Sequence, residues 1–170
     1  MRARKGAAAD FAYIKSMHRL LRHIQACNNA VLPGGREELL IAGELVGWLE
    51  PELARRIEAL GGAPESGGVA LRPEQLQPIA RALADEGWFR WREEAFDVRA
   101  APDGPVLGQL DRGALPPFGV LALGVHLNGL VESGGETRLW VARRASDKLL
   151  DPGKLDHLVA GGVASGHTPM

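Results

Sequence analysis

Apolar residues recur at helical spacing near the start of the chain. The stretch from residue 10 to residue 28 places them at Ile14, Met17, Leu20, Leu21 and Ile24. This period predicts an amphipathic helix whose apolar face packs against a partner surface. Basic side chains occupy the remaining arcs, and a solvated face explains them better than a nucleic-acid or lipid contact does.

The next apolar runs alternate with turn residues. Two short runs within Glu38–Leu49 flank Ala42-Gly43-Glu44, which predicts a β-hairpin. A helix is predicted from Pro51 to about Leu60, because proline favours the first helical turn. Four glycines, together with Pro64 and Ser66, predict a flexible loop over residues 61–68. A short strand is predicted near residues 69–71.

A second helix is predicted to begin at Pro73 and to end at Gly87. Its apolar set is Leu76, Ile79, Ala80 and Leu83. Further along, the Asp103-Gly104 turn signal separates two strand-like runs, Phe96–Ala100 and Val106–Leu110, which predicts a second hairpin. These helices and hairpins together predict a small α+β domain.

The stretch Ala114-Leu-Pro-Pro117 interrupts regular structure and predicts a domain boundary. We therefore divide the chain into an N-terminal α+β domain, residues 1–115, and a second segment, residues 116–170. In the second segment, Gly119–Val131 is predicted to be one long strand. Ser133–Glu136 then turns the chain back into a strand over residues 138–143, which predicts a third hairpin.

Composition limits the function classes. The chain has 170 residues, 45% of them hydrophobic, which suffices for one domain and part of a second. Its formal net charge of −1 argues against nucleic acid or an anionic membrane as a partner. A single cysteine, Cys27, cannot form an internal disulfide and fits a reducing compartment. A cytoplasmic location is predicted over an organelle, although the N-terminus is basic enough to leave a transit peptide as the alternative.

Cations cluster near the end of the sequence. Arg143, Arg144, Lys148 and Lys154 fall within twelve residues, followed by the glycine pair Gly161-Gly162. Guanidinium groups bind phosphate oxygens, and glycine lets backbone approach a ligand closely. The cluster therefore predicts an anionic ligand. Neighbouring strand residues point to opposite faces, so one arginine of the pair faces this ligand, and Arg144 is favoured because it is nearer the loop.

The order of these motifs resembles the Nudix hydrolases, and among them the subfamily with an extra N-terminal domain that is linked to thiamine diphosphate metabolism. The resemblance rests on Arg143-Arg144, Lys148, Pro152-Gly-Lys-Leu-Asp156 and Ala160-Gly-Gly162, with Gly43–Trp48 and Gly124–Gly129 upstream. It implies that residues 116–170 begin a Nudix-type α/β/α sandwich with a mixed sheet. It also implies that the four clustered cations contact the substrate.

The Nudix pattern continues after a glycine with a helix that carries Arg-Glu and Glu-Glu pairs, whose carboxylates hold Mg²⁺ or Mn²⁺. Counted from Gly162, the first glutamate position falls on Thr168, and the later ones lie past Met170. The expectation is a chain that stops before the catalytic helix and contains no catalytic residue. The family resemblance still makes the backbone carbonyl of Gly161 or Gly162 a candidate metal ligand.

The resemblance implies a MutT-like pyrophosphohydrolase that uses a divalent metal. Its substrate would be a small molecule with a diphosphate linkage, either thiamine diphosphate-like or nucleoside diphosphate-like. The alternative is a non-catalytic chain, either truncated or a binding module without the metal-binding helix. Apolar residues on the strands after residue 119 predict self-association, with a homodimer as one form. His126 lies in an apolar run and is predicted to be a core or sheet residue rather than a ligand.

Overall fold

The computed structural model describes residues 21–26, 31–148 and 151–168. By its contacts the chain divides into Met1–Gly34 and Gly35–Met170. In the first unit, residues 21–26 are helical, within the range predicted for the first helix. The remainder of that predicted helix and Cys27 lie outside the described residues. Within the described ranges, no helix is long and apolar enough to cross a membrane.

The second unit begins with the first predicted hairpin. Strand β1 (Glu37–Ile41) pairs antiparallel with strand β2 (Glu44–Leu49). Ala42 and Gly43 form the turn, and both have a positive φ, 52° and 82°. Two-residue turns of this kind match the right-handed twist of the paired strands, which explains why this turn forms a hairpin.

A four-stranded mixed sheet grows from this hairpin in the order β2-β1-β4-β3. Helix α1 (Pro51–Ala59) leads to β3 (Ala63–Glu65) and β4 (Gly68–Leu71), and β4 pairs parallel with β1. Helix α1 confirms the helix predicted from Pro51 to about Leu60, and β4 confirms the strand predicted near residues 69–71. The flexible loop predicted for residues 61–68 is wrong, because β3 lies within it. Edge strands tolerate proline, so Pro64 on edge strand β3 did not prevent pairing with β4.

The second predicted helix covers one side of this core. A 3₁₀ turn (Pro73–Gln75) runs into α2 (Leu76–Asp85), and the four predicted apolar residues of α2 are buried. The second predicted hairpin is also present, as β5 (Ala95–Val98) paired antiparallel with β6 (Gly108–Asp111).

Residues 114–117 were expected to interrupt regular structure, and this expectation is wrong. They run into a single helical turn, α3 (Leu115–Phe118), because prolines fit the first positions of a helix, where a missing N–H breaks no hydrogen bond. Leu115 and Phe118 are buried in the same core as the sheet and α2. The core therefore extends past residue 115.

The chain after α3 forms short antiparallel ladders. Its strands are β7 (Gly124–Leu127), β8 (Leu130–Ser133), β9 (Glu136–Leu139), β10 (Ala142–Arg143), β11 (Leu155–Asp156) and β12 (Val159–Gly162). The third predicted hairpin is confirmed as β8–β9, while β7 pairs with β12 and β10 with β11.

The single long strand predicted for residues 119–131 is wrong, since β7 and β8 are separate. Between them, the Gly129 carbonyl accepts a hydrogen bond from Trp140 N–H, and the Trp140 side chain packs where a Cβ of Gly129 would lie. The helices and the mixed sheet confirm the α+β class.

Candidate functional site

The four cations predicted to bind phosphate occupy different surroundings. Arg143 is exposed on β10, and its Nη1 donates to the Gly153 carbonyl at 3.4 Å. Lys154 is exposed and pairs with Asp151. Arg144 is half-buried, and Lys148 is exposed. Arg144 and Lys148 line one cleft, whereas Arg143 and Lys154 lie outside its lining.

This basic cleft, as we call it, has a volume of about 900 Å³. One wall comes from residues 89–94 and 112–117, and the other from residues 144–148. Five cationic side chains line it, namely Arg90, Arg92, Arg112, Arg144 and Lys148. Glu94 and Asp147 are the acidic side chains in this lining, and Phe89, Pro116 and Pro117 supply apolar surface.

A buried carboxylate fixes the first wall. Asp111 is 1% exposed. Its Oδ1 accepts hydrogen bonds from the backbone N–H of Arg92 at 3.0 Å and of Gly113 at 2.7 Å. Its Oδ2 accepts one from the Glu94 N–H at 3.2 Å. A charged acceptor strengthens such bonds, so Asp111 ties the segment before β5 to the segment after β6.

Close backbone approach tightens the same wall. A Cβ added to Gly113 would lie 2.0 Å from the Arg90 carbonyl oxygen, so this position excludes any other residue. The Arg112 N–H also donates to the Glu94 carbonyl at 2.8 Å. Because the backbone is held at several points, the side chains of residues 90, 92 and 112 start from fixed positions.

The charges of the cleft are partly compensated. Arg112 forms an ion pair with Glu94 at 2.8 Å, and Arg144 Nη1 donates to Asp156 Oδ2 at 2.6 Å. The hydrogen bond from Arg144 is the main reason why the pKa of Asp156 lies below its ordinary value. Within the described residues, the guanidinium groups of Arg90 and Arg92 make no hydrogen bond or ion pair. The cleft therefore offers donors to an anion with several oxygens.

The sequence pattern did not single out Arg90, Arg92 and Arg112, because they are spread along the chain rather than clustered. The predicted pairing of the second hairpin could have indicated that these arginines lie close together. The spacing of β5 and β6 brings Glu94 beside Arg112, and the Arg90-Trp-Arg92 segment directly precedes that pair.

The glycine pair lies in β12, where Gly161 pairs with Val125 and Gly162 with Gly124. A Cβ on Gly162 would lie 2.6 Å from the Phe96 ring, whereas Gly161 has open space. His126 lies on β7, so the strand assignment holds, but it is exposed rather than in the core. Its ring packs edge to face on His157, with centroids 4.4 Å apart.

The residues that the structure describes do not fit a divalent metal site. In the described ranges, no group of three or more His, Cys, Asp or Glu side chains is placed to hold a metal ion. Mg²⁺ prefers several carboxylate and water oxygens. The suggested role of the Gly161 or Gly162 carbonyl stays a prediction.

The chain is similar in sequence to known proteins. It is 40% identical over 96 residues to a protein named Nudix hydrolase 20, chloroplastic, of Arabidopsis thaliana, and 41% identical over 96 residues to Nudix hydrolase 24, chloroplastic, of the same plant. The similarity is to Nudix hydrolases. An uncharacterized protein of Saccharomyces cerevisiae is 32% identical over 75 residues. No family model matches the chain.

These Nudix hydrolase matches cover 56% of this chain and 26% of each plant relative, so the chain matches about a quarter of the length of those relatives. A match of 96 residues within a chain of 170 must include residues 75–96. The similarity to both plant proteins therefore includes α2 and the part of the first cleft wall formed by residues 89–94.

Proposed function

We propose that this chain provides the substrate-binding surface of a Nudix-type pyrophosphohydrolase. The substrate would be a small molecule with a diphosphate linkage, of the thiamine diphosphate or nucleoside diphosphate type. The observation that carries the proposal is the basic cleft, in which Arg144 and Lys148 lie among further cations. The names of the plant relatives support the reaction class.

The cleft can bind and orient such a substrate. Guanidinium groups match phosphate oxygens in pairs, and the ammonium group of Lys148 adds a mobile point charge. Phe89, Pro116 and Pro117 form an apolar surface beside these cations. We assign the organic part of the substrate to this surface and its phosphates to the cations.

A divalent metal would polarise a phosphorus centre and lower the pKa of the attacking water. The described residues do not supply the carboxylates that Mg²⁺ or Mn²⁺ requires, so we assign no step of hydrolysis to side chains of this chain. The cleft by itself also supports a second candidate function, a binding module that holds the diphosphate without cleaving it, because its cations bind phosphate oxygens.

Two measurements test the proposal. Calorimetric titration with inorganic pyrophosphate should show binding that weakens about tenfold or more in Arg144→Ala/Lys148→Ala, because two charged contacts are lost. The matched control Arg143→Ala/Lys154→Ala removes the same charge outside the cleft and should change affinity about twofold or less. Equal losses in both variants would contradict the role of the cleft.

Phosphorus NMR separates the two candidate functions. Thiamine diphosphate and a nucleoside diphosphate are incubated with the chain and Mg²⁺ or Mn²⁺, and phosphate release is followed. Release that disappears in Arg144→Ala/Lys148→Ala supports the hydrolase. Retained pyrophosphate binding without any release supports the binding module.

A further inference from the structure

Three arginines from the N-terminal side of Pro116 line the basic cleft together with Arg144 and Lys148. We propose that Arg90, Arg92 and Arg112 form a second phosphate subsite, so that the ligand of the cleft is a diphosphate or longer polyphosphate held from both walls. This inference rests on the proposed function and adds a binding role for the N-terminal part of the chain.

Contacts with Asp111 and Gly113 hold the backbone of this wall in place. Asp111 is buried, and its carboxylate accepts three hydrogen bonds, all from backbone N–H groups, of residues 92, 94 and 113. Gly113 permits the backbone to approach the Arg90 carbonyl. These contacts hold the backbone that carries the three arginines without using their guanidinium groups. Arg112 Nη1 pairs with Glu94, while the guanidinium groups of Arg90 and Arg92 keep their donors for a ligand.

The net charge of the cleft also favours a diphosphate. The cleft is lined by five cations and two carboxylates, and Asp156 compensates Arg144 from outside this lining, so the cleft keeps a net positive charge that attracts an anion. Glu94 and Asp147 also repel an incoming anion, so a ligand with one phosphate gains little. A diphosphate carries more charge and can reach both walls at once. The cleft should therefore prefer inorganic pyrophosphate to inorganic phosphate.

The experiment is calorimetric titration of the whole chain with pyrophosphate and, separately, with phosphate at physiological ionic strength. Wild type should bind pyrophosphate at least about tenfold more tightly than phosphate. Arg90→Ala/Arg92→Ala should weaken pyrophosphate binding about tenfold or more and phosphate binding about threefold or less, because phosphate still has Arg144 and Lys148. Arg90→Lys/Arg92→Lys should recover part of the loss, since charge returns without the paired donors.

The matched control is Arg55→Ala/Arg138→Ala, which removes two exposed arginines outside the cleft lining. It should bind both anions as wild type does, and circular dichroism with thermal unfolding checks that each variant is folded. An equal loss in this control would show a general charge effect and overturn the subsite.

The remaining outcomes separate the two proposals. If pyrophosphate binding survives in Arg90→Ala/Arg92→Ala but is lost in Arg144→Ala/Lys148→Ala, the second subsite is wrong and the proposed function stands. If pyrophosphate binding is lost only in Arg90→Ala/Arg92→Ala, the second subsite stands, while the phosphate-binding role of Arg144 and Lys148 is wrong. If wild type binds neither anion, both proposals are overturned.

Discussion

At the scale of single residues, close contacts set three positions: Asp111 and Gly113 in the first wall of the basic cleft, and Gly162 on β12. Asp111 lies beneath the first wall and accepts hydrogen bonds from three backbone N–H groups. Gly113 is required by a close approach to the Arg90 carbonyl, and Gly162 by the Phe96 ring. Each requirement involves residues far apart in sequence or separated by a turn, so none could be predicted from local pattern.

Replacing Asp111 tests the support of this wall. Asp111→Ala leaves three partly buried backbone N–H groups without their acceptor, and a fully buried group of this kind costs about 1–3 kcal/mol. We expect a loss of at least about 2 kcal/mol in the free energy of unfolding, measured by urea denaturation. Asp111→Asn retains one oxygen acceptor and should lose less. Wild-type stability in Asp111→Ala would contradict the supporting role.

The Arg144–Asp156 pair predicts a pH dependence. The pKa of Asp156 is lowered from 3.8, chiefly by the hydrogen bond from Arg144. When folding lowers the pKa of a carboxyl group, that group stabilises the folded state at any pH above its pKa in the unfolded chain. This contribution to the free energy of unfolding is lost as the pH falls through the pKa of the group in the folded protein. Carbon NMR of the Asp156 carboxyl should show a titration midpoint below 3.8, rising in Arg144→Ala. An unchanged midpoint in that variant would contradict the assigned cause.

At the scale of elements, local signals were reliable where a turn or an amphipathic period determined the structure. The Ala42-Gly43 turn, the Asp103-Gly104 signal and the apolar period of α2 each led to the observed element. Local composition led to wrong predictions where pairing between strands determined the structure. Strand β3 forms at a sheet edge despite Pro64, and the run from residue 119 to 131 divides because β7 and β8 pair with different strands.

The same contrast explains what could be predicted of the cleft. The cationic residues after β10 were visible as a cluster within the sequence, so Arg144 and Lys148 were found. Arg90, Arg92 and Arg112 are spread over more than twenty residues. The pairing of β5 with β6 and the buried Asp111 bring them together, and both are tertiary features.

The glycine pair on β12 offers a matched test at this scale. Gly162→Ala would place a Cβ against the buried Phe96 ring and should destabilise the fold by about 1–3 kcal/mol through overpacking. Gly161→Ala meets open space and should leave the melting temperature nearly unchanged. Thermal unfolding of both variants measures the difference. Equal effects would show that Phe96 does not set the requirement for glycine.

At the scale of the whole molecule, the predicted division at residue 116 remains a proposal. Phe118 lies in the same core as the first sheet, and Ser165 donates to Asp97 on β5 at 2.6 Å. Several large apolar side chains in the second segment of the chain are exposed to solvent. Leu127, Leu130, Trp140 and Leu155, all after residue 119, are each more than half exposed.

This exposed apolar surface predicts self-association. Two-stranded ladders leave unpaired strand edges, which favour pairing between chains. Sedimentation velocity at tens of micromolar should show a dimer or larger species, and Leu130→Glu/Trp140→Glu should shift the population toward monomer. The matched change Leu121→Glu/Val106→Glu adds the same charge on other exposed apolar residues and should shift it less. A strictly monomeric wild-type chain would contradict this prediction.

The central claim is that the basic cleft binds the diphosphate group of a substrate. Backbone amide NMR during titration with inorganic pyrophosphate tests it most directly, because each amide reports its own surroundings. We predict saturable shifts at the amides of Arg92, Gly113, Arg144 and Lys148, with little change in the β8–β9 hairpin. Shifts confined to residues outside the cleft, or changes that never saturate, would contradict the claim.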